Sequence, residues 1–104
     1  MRKQIAKCTG FDWDEWNSEK NLIRHGVSDS ECEQTLLNRT FYGEDKKHSK
    51  KEKRYYALGP TDRGRLLTVN FTIRNDLFRV ISARDMNNKE KRVYHEKVKR
   101  SSRL

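Results

Sequence analysis

Residues 65–84 alternate between apolar and polar side chains, and a single two-residue break, Asn75-Asp76, divides the run. Before the break, Leu67, Val69, Phe71 and Ile73 share one parity, and Leu66, Thr68, Asn70 and Thr72 share the other. After it, Leu77, Arg79, Ile81 and Ala83 oppose Phe78, Val80, Ser82 and Arg84. A period of two marks a half-buried strand. Asn and Asp tolerate the left-handed backbone that a two-residue hairpin turn demands. The stretch therefore predicts a long antiparallel hairpin with one apolar face. A lone hairpin is marginal in water, so other segments must cover that face.

Upstream, the punctuation is helical. Asp14 is placed to cap a helix that runs to about Arg24 and ends at His25-Gly26, where Gly26 supplies a left-handed C-cap. Ser28 with Glu31 three places on forms a capping box for a second helix reaching about Leu37, with Asn38 as its stop. The first helix is expected to turn Trp16, Ile23 and Leu22 toward the core, and the second to bury Cys32, Leu36 and Thr35. Phe11-Asp12-Trp13 and Thr40–Gly43 read as short strands, and Arg54–Gly59 as a stronger one closed by Gly59-Pro60. A helix is expected from Asn87 to about Arg100. The fold class is α+β: two N-terminal helices, an antiparallel meander of about four strands, and a C-terminal helix. Residues 1–10 read as a loose basic lead-in, 11–96 as the single domain, and 97–104 as a frayed tail.

Charge is segregated along the chain. Residues 1–45 carry six Lys/Arg against nine Asp/Glu, net −3, and residues 46–104 carry eighteen against six, net +12. That asymmetry suits a polyanion, nucleic acid before an acidic protein. No run of 18 apolar residues and no signal-peptide h-region is present, so a membrane role is not expected and the cytoplasm is the expected compartment. Cys8 and Cys32 form no C-x-x-C pair, and His25, His48 and His95 have no zinc-ligand spacing, so reduced thiols, no metal and no cofactor are expected.

Arginine holds phosphate through a planar fork of donors that remains charged at any physiological pH. Arg65, Arg79 and Arg84 sit at or in the hairpin strands and form an expected phosphate clamp, with Arg63 suited either to extending it or simply to opening a turn. His25 is the first candidate for proton transfer, although a His before a C-cap Gly also serves the helix end; His48 is a lesser one. Glu90 and Tyr94, one helical turn apart, are suited either to orienting an arginine of the sheet or to packing as a lid. Lys46, Lys47, Lys50, Lys51 and Arg54 form a run that could steer RNA or simply be solvated. Of Tyr55 and Tyr56, adjacent in a strand, one is core and the other can stack on a base; Tyr55 is the expected RNA-binding one.

Several of these fragments together resemble a known family. Phe11-Asp12-Trp13-Asp14, Asn21-Leu22-Ile23-Arg24-His25-Gly26-Val27-Ser28, His48-Ser49 with Glu52 and Arg54, Leu58-Gly59, Arg63-Gly64-Arg65-Leu66-Leu67, Arg79–Arg84, and Glu90-Lys91-Arg92 with Tyr94 occur in the order found in the BrnT family of bacterial type II toxins. The resemblance implies a RelE-like fold and an RNA-cleaving toxin. It also implies a small BrnA-like antitoxin whose ribbon-helix-helix half binds operator DNA, so that the toxin meets DNA only through the antitoxin. Two positions depart from the pattern: Asn17 stands where a lysine is frequent, and Asp29 where an apolar residue is usual.

The expected activity is metal-independent cleavage of RNA by its own 2′-OH, arresting translation, with mRNA (ribosome-associated or free) as substrate. An acidic antitoxin covering the +12 half would silence it. The alternative is a basic module that binds nucleic acid or a partner without cutting, a corepressor or a degenerate toxin.

Overall fold

Local capping decides where the first long helices begin and end. In the computed structural model, which describes residues 2–102 and the side chains of 3–98, α2 spans Glu15–His25. The Asp14 carboxylate accepts from the N–H groups of Trp16 and Asn17, and Gly26, at φ 61°, closes the far end. Helix α3 spans Asp29–Leu37, and Ser28 and Glu31 complete their capping box in both directions. The expected lead-in is not loose: Arg2–Ala6 form a short helix, α1, and Gly10–Phe11 a short strand, β1. Four further strands follow, β2 (Phe41–Glu44), β3 (Tyr55–Pro60), β4 (Leu66–Arg74) and β5 (Leu77–Asp85), and then α4 (Asn88–Ser102). Pro60, the last residue of β3, lies beyond the reach of β2, whose ladder stops at Leu58, so its missing N–H breaks no bond on that side.

The sheet runs β1-β5-β4-β3-β2. Strands β2 to β5 are the expected meander. The fifth strand is an addition: β1 joins the β5 edge in parallel, pairing Gly10 with Leu77 and Phe11 with Phe78. Asn75 and Asp76, at φ 53° and 59°, make the tight turn between β4 and β5.

The two sheet faces carry cores of different size. On one, Leu67, Val69, Phe71, Phe78, Val80 and Ala83 pack with Tyr55 and Ala57 against Val27, Cys32 and Leu36 of the α3 region. Phe71 is the hub, in edge contact with Phe78 at 5.4 Å and with Tyr42 at 6.1 Å between ring centres. On the other face, α4 covers one end only, through Leu58, Met86 and Tyr94 with Phe41 and Val93 beside them. Burial pushes the Cys32 thiol up to about 12, which makes it an unreactive core residue.

One expected orientation is overturned. Helix α2 does not turn Trp16, Ile23 and Leu22 inward; they are 70%, 74% and 56% exposed. Its buried residue is Asn21, whose Oδ1 accepts from the N–H of Ala83, and Lys20 Nζ donates to the carbonyl of Ile81. Beyond Phe78, β5 has no strand on its outer side, and the inner face of α2 supplies the missing partners. No helix of the described residues is long and apolar enough to cross a membrane.

Candidate nucleic-acid cleft

A bulge in β5 determines which arginines share a side. Asn70 pairs with Ser82 and Phe71 with Val80, so Ile81 is an extra residue in the ladder. Strict alternation through residues 77–84 would send Arg79 and Arg84 to opposite faces. The inserted residue reverses the parity, and Arg79 opposite Thr72 and Arg84 opposite Thr68 both lie on the face that α4 covers in part. Thr68 and Thr72 are four residues apart, so the two arginines stand about 13 Å from each other along the strands.

The cleft opens where α4 leaves that face. It encloses about 370 Å³ and is lined by Tyr56, Leu58, Thr68, Asn70, Arg84, Asn87, Lys89, Glu90 and Val93. Arg84 donates from Nη1 to Glu90 Oε1 at 2.7 Å and from Nη2 to Oε2 at 2.9 Å, a parallel two-bond pair. Glu90 is also the third residue of a capping box: its Oε1 accepts from Asn87 N–H, and Asn87 Oδ1 accepts from Glu90 N–H. Burial pushes the Glu90 carboxyl up, but the Arg84 bonds and the Asn87 N–H outweigh it and hold the group below its ordinary range, so it is ionised at neutral pH. Tyr94 takes the packing role instead, its hydroxyl donating to the Arg39 carbonyl.

From this cleft the open face leads toward the basic loop. Asn70 Nδ2 donates to Ser82 Oγ at its middle, and Thr72 Oγ1 donates to the Lys53 carbonyl at its far end. Lys46–His48 form a single 3-10 turn, and Arg54, two residues before Tyr56, falls on the same side. His48 is held by Asp45 at 2.9 Å within this loop, away from the cleft.

The clamp expected from sequence is not assembled. Arg65 points to the opposite face, where Nε and Nη2 donate to Asp85 at 2.7 and 3.1 Å, Nη1 to Glu31 Oε2 and the Gly26 carbonyl, and Nη2 to the His25 carbonyl. It ties the end of α2 to the start of α3. His25 has an exposed ring at that same helix end and does not reach the cleft. Arg79 is held by Asp12 at 3.1 Å and Asp14 at 3.2 Å. Arg63 lies with Arg65 in a separate groove beside α3. Tyr55 is 4% exposed and tilted against Phe71, and it is Tyr56 that lines the cleft. Of the expected residues, Arg84 and Glu90 meet in the cleft. Sequence reasoning passed over Asn70, Asn87 and Lys89; the Asn87-x-x-Glu90 box was the available signal for the last two.

The two departures noted in the sequence are locally accommodated. Lys20 Nζ lies 3.4 Å from Asn17 Oδ1, and Asp29 Oδ2 accepts from Ser18 Oγ at 3.0 Å, joining α2 to α3.

Residues 13–90 match the family model described as the ribonuclease toxin BrnT of type II toxin–antitoxin systems. The chain belongs to the BrnT family. The fold agrees: the crystal structure of the Brucella abortus ribonuclease toxin BrnT superposes with a TM-score of 0.56 at 22% identity, covering 77% of this chain and 99% of that one. No curated protein sequence matches this chain. Membership in the BrnT family brings with it ribonuclease activity in general terms and a protein antitoxin as partner.

Proposed function

We propose that this BrnT-family chain is an endoribonuclease that cleaves RNA without a metal and arrests translation, and that the Arg84–Glu90 cleft is where it cuts. In this reading the RNA 2′-oxygen attacks the adjacent phosphorus and the bond from phosphorus to the 5′-oxygen breaks. The products are a 2′,3′-cyclic phosphate and a free 5′-hydroxyl. Arg84 stabilises the phosphorane, because its fork binds more tightly as charge gathers on the phosphoryl oxygens. Glu90 is the carboxylate lining the cleft and takes the 2′-OH proton. The leaving oxygen is protonated by Lys89 or by water. Tyr56 offers a ring for a base, and the Lys46–Arg54 run steers the strand toward the open face.

The observation that carries the reading is a guanidinium and a carboxylate facing each other in the cleft of the +12 half. Two variants test it on a fluorogenic RNA. Arg84→Ala should lower cleavage by about 100-fold or more. Glu90→Gln should do the same while melting near the parent, because Gln preserves the capping box. Full cleavage in both variants would refute the assignment.

A second reading, binding without cutting, is favoured by the grip of Glu90 on both ends of the Arg84 fork. Harmless expression with salt-sensitive RNA binding retained would support it.

A further inference from the structure

We propose that the outward face of α2 is the seat of the protein antitoxin, and that it takes a segment of apolar side chains flanked by lysines or arginines. This rests on the toxin–antitoxin reading of the chain. Helix α2 is inverted relative to an ordinary surface helix. Its inner side is polar because Asn21 and Lys20 must satisfy the open edge of β5. Its outer side carries Trp16 and Ile23, two turns apart and 70% and 74% exposed, with Leu22 next to them at 56%. Large apolar side chains grouped on one exposed face mark an interaction surface rather than a solvated one.

The surroundings select the occupant. A groove of about 650 Å³ runs between α2 and α3, with Trp13 and Leu22 as apolar walls and Glu15, Glu19 and Asp29 on its rim. Trp13 is fixed there by its Nε1 donating to Glu33 Oε2 at 2.8 Å. On the other side of Glu19, a groove of about 250 Å³ lies between Trp16 and Ile23, with Lys20 and Arg24 also on its rim. RNA is disfavoured in the groove between α2 and α3, where Glu15, Glu19 and Asp29 repel phosphate. A second copy of the chain does not fit either, because a two-fold contact would set the same acidic rim against itself. A polypeptide with apolar anchors and flanking cations satisfies both the apolar stripe and the acidic rim.

The seat also accounts for silencing without covering the basic half. Lys20 stands at the border between the stripe and the sheet, bonded to Ile81 one residue before Ser82. A partner wider than α2 overhangs that border and obstructs RNA approaching along the open face.

The probe is the purified product of the adjacent open reading frame, titrated into the intact protein by calorimetry. Trp16→Ser and Ile23→Asp should each weaken binding by about 100-fold, as expected for buried anchors. Both should leave RNA cleavage and melting unchanged, because these side chains make no core contact. Arg84→Ala should behave in the opposite sense, keeping affinity and losing cleavage. Unchanged affinity in the two α2 variants overturns the seat alone. Failure of the parent protein to bind the probe overturns the pairing and the seat together. Loss of cleavage in the α2 variants would make the stripe a nucleic-acid surface. Sedimentation showing a parent dimer that the variants convert to monomer would make it a self-association face. Either result refutes the proposal.

Discussion

Removing Arg65 separates a structural guanidinium from a catalytic one. Its fork makes five bonds, two to the Asp85 carboxylate, one to Glu31, and one each to the carbonyls of His25 and Gly26. The carboxylates are partly solvated, so each ion pair contributes about 0–1 kcal/mol. Each helix-end carbonyl contributes about 0.5–1.5 kcal/mol, with further loss if it is left without a donor. Arg65→Ala is therefore expected to destabilise the fold by about 2–4 kcal/mol, which for a chain of this size lowers Tm by roughly 9–18 °C. Arg65→Lys should recover less than half, because a point charge cannot reproduce the fork.

The same variant carries a pH signature. Arg65 bonding, first among the causes, holds the Asp85 carboxyl below its ordinary value of 3.8. Glu31, ordinarily 4.5, is held down first by the Ser28 backbone N–H and then by Arg65. A depressed carboxyl contributes stability that is complete above its unfolded value and is lost as pH falls through its folded value. The Tm gap between parent and Arg65→Ala should therefore be constant near neutrality and narrow below about pH 4. Thermal melts by circular dichroism across pH 3–8, run beside an RNA cleavage assay, measure both effects. A variant that melts within about 2 °C of the parent yet no longer cleaves RNA would show that Arg65 works on substrate, and the structural account would be wrong.

Further outcomes follow from the two tyrosines and the basic loop. Tyr55→Ala should lose about 3–5 kcal/mol of stability by opening a void beside Phe71. Tyr56→Ala should cost less stability, because its half-buried ring packs at the edge of the smaller core beside Phe41, but should weaken RNA binding by about 1–3 kcal/mol, and denaturant titration beside RNA binding distinguishes the two. Lys50→Ala with Lys51→Ala should flatten the salt dependence of RNA affinity by about 1.4 in log–log slope if both lysines meet phosphates. An unaltered slope would leave the run as a solvated loop.

Sequence alone determined what depends on neighbours within a few positions: the Asp14 and Ser28 caps, the Gly26 stop, the Asn75-Asp76 turn and the parity of β4. Each is settled by a side chain reaching its own backbone or by the pleat of a single strand. Tertiary structure decided the rest. The outward turn of Trp16 and Ile23 follows from an unpaired β5 edge some sixty residues away, which needed the polar side of α2 more than the core needed its apolar one. The meeting of Arg84 with Tyr56 depends on one unpaired residue, Ile81, that no local pattern announces. Arg65 went to the α2–α3 junction because two helix-end carbonyls and two carboxylates from distant segments converge there. Periodicity records which face a side chain occupies; what waits on that face is set by long-range packing.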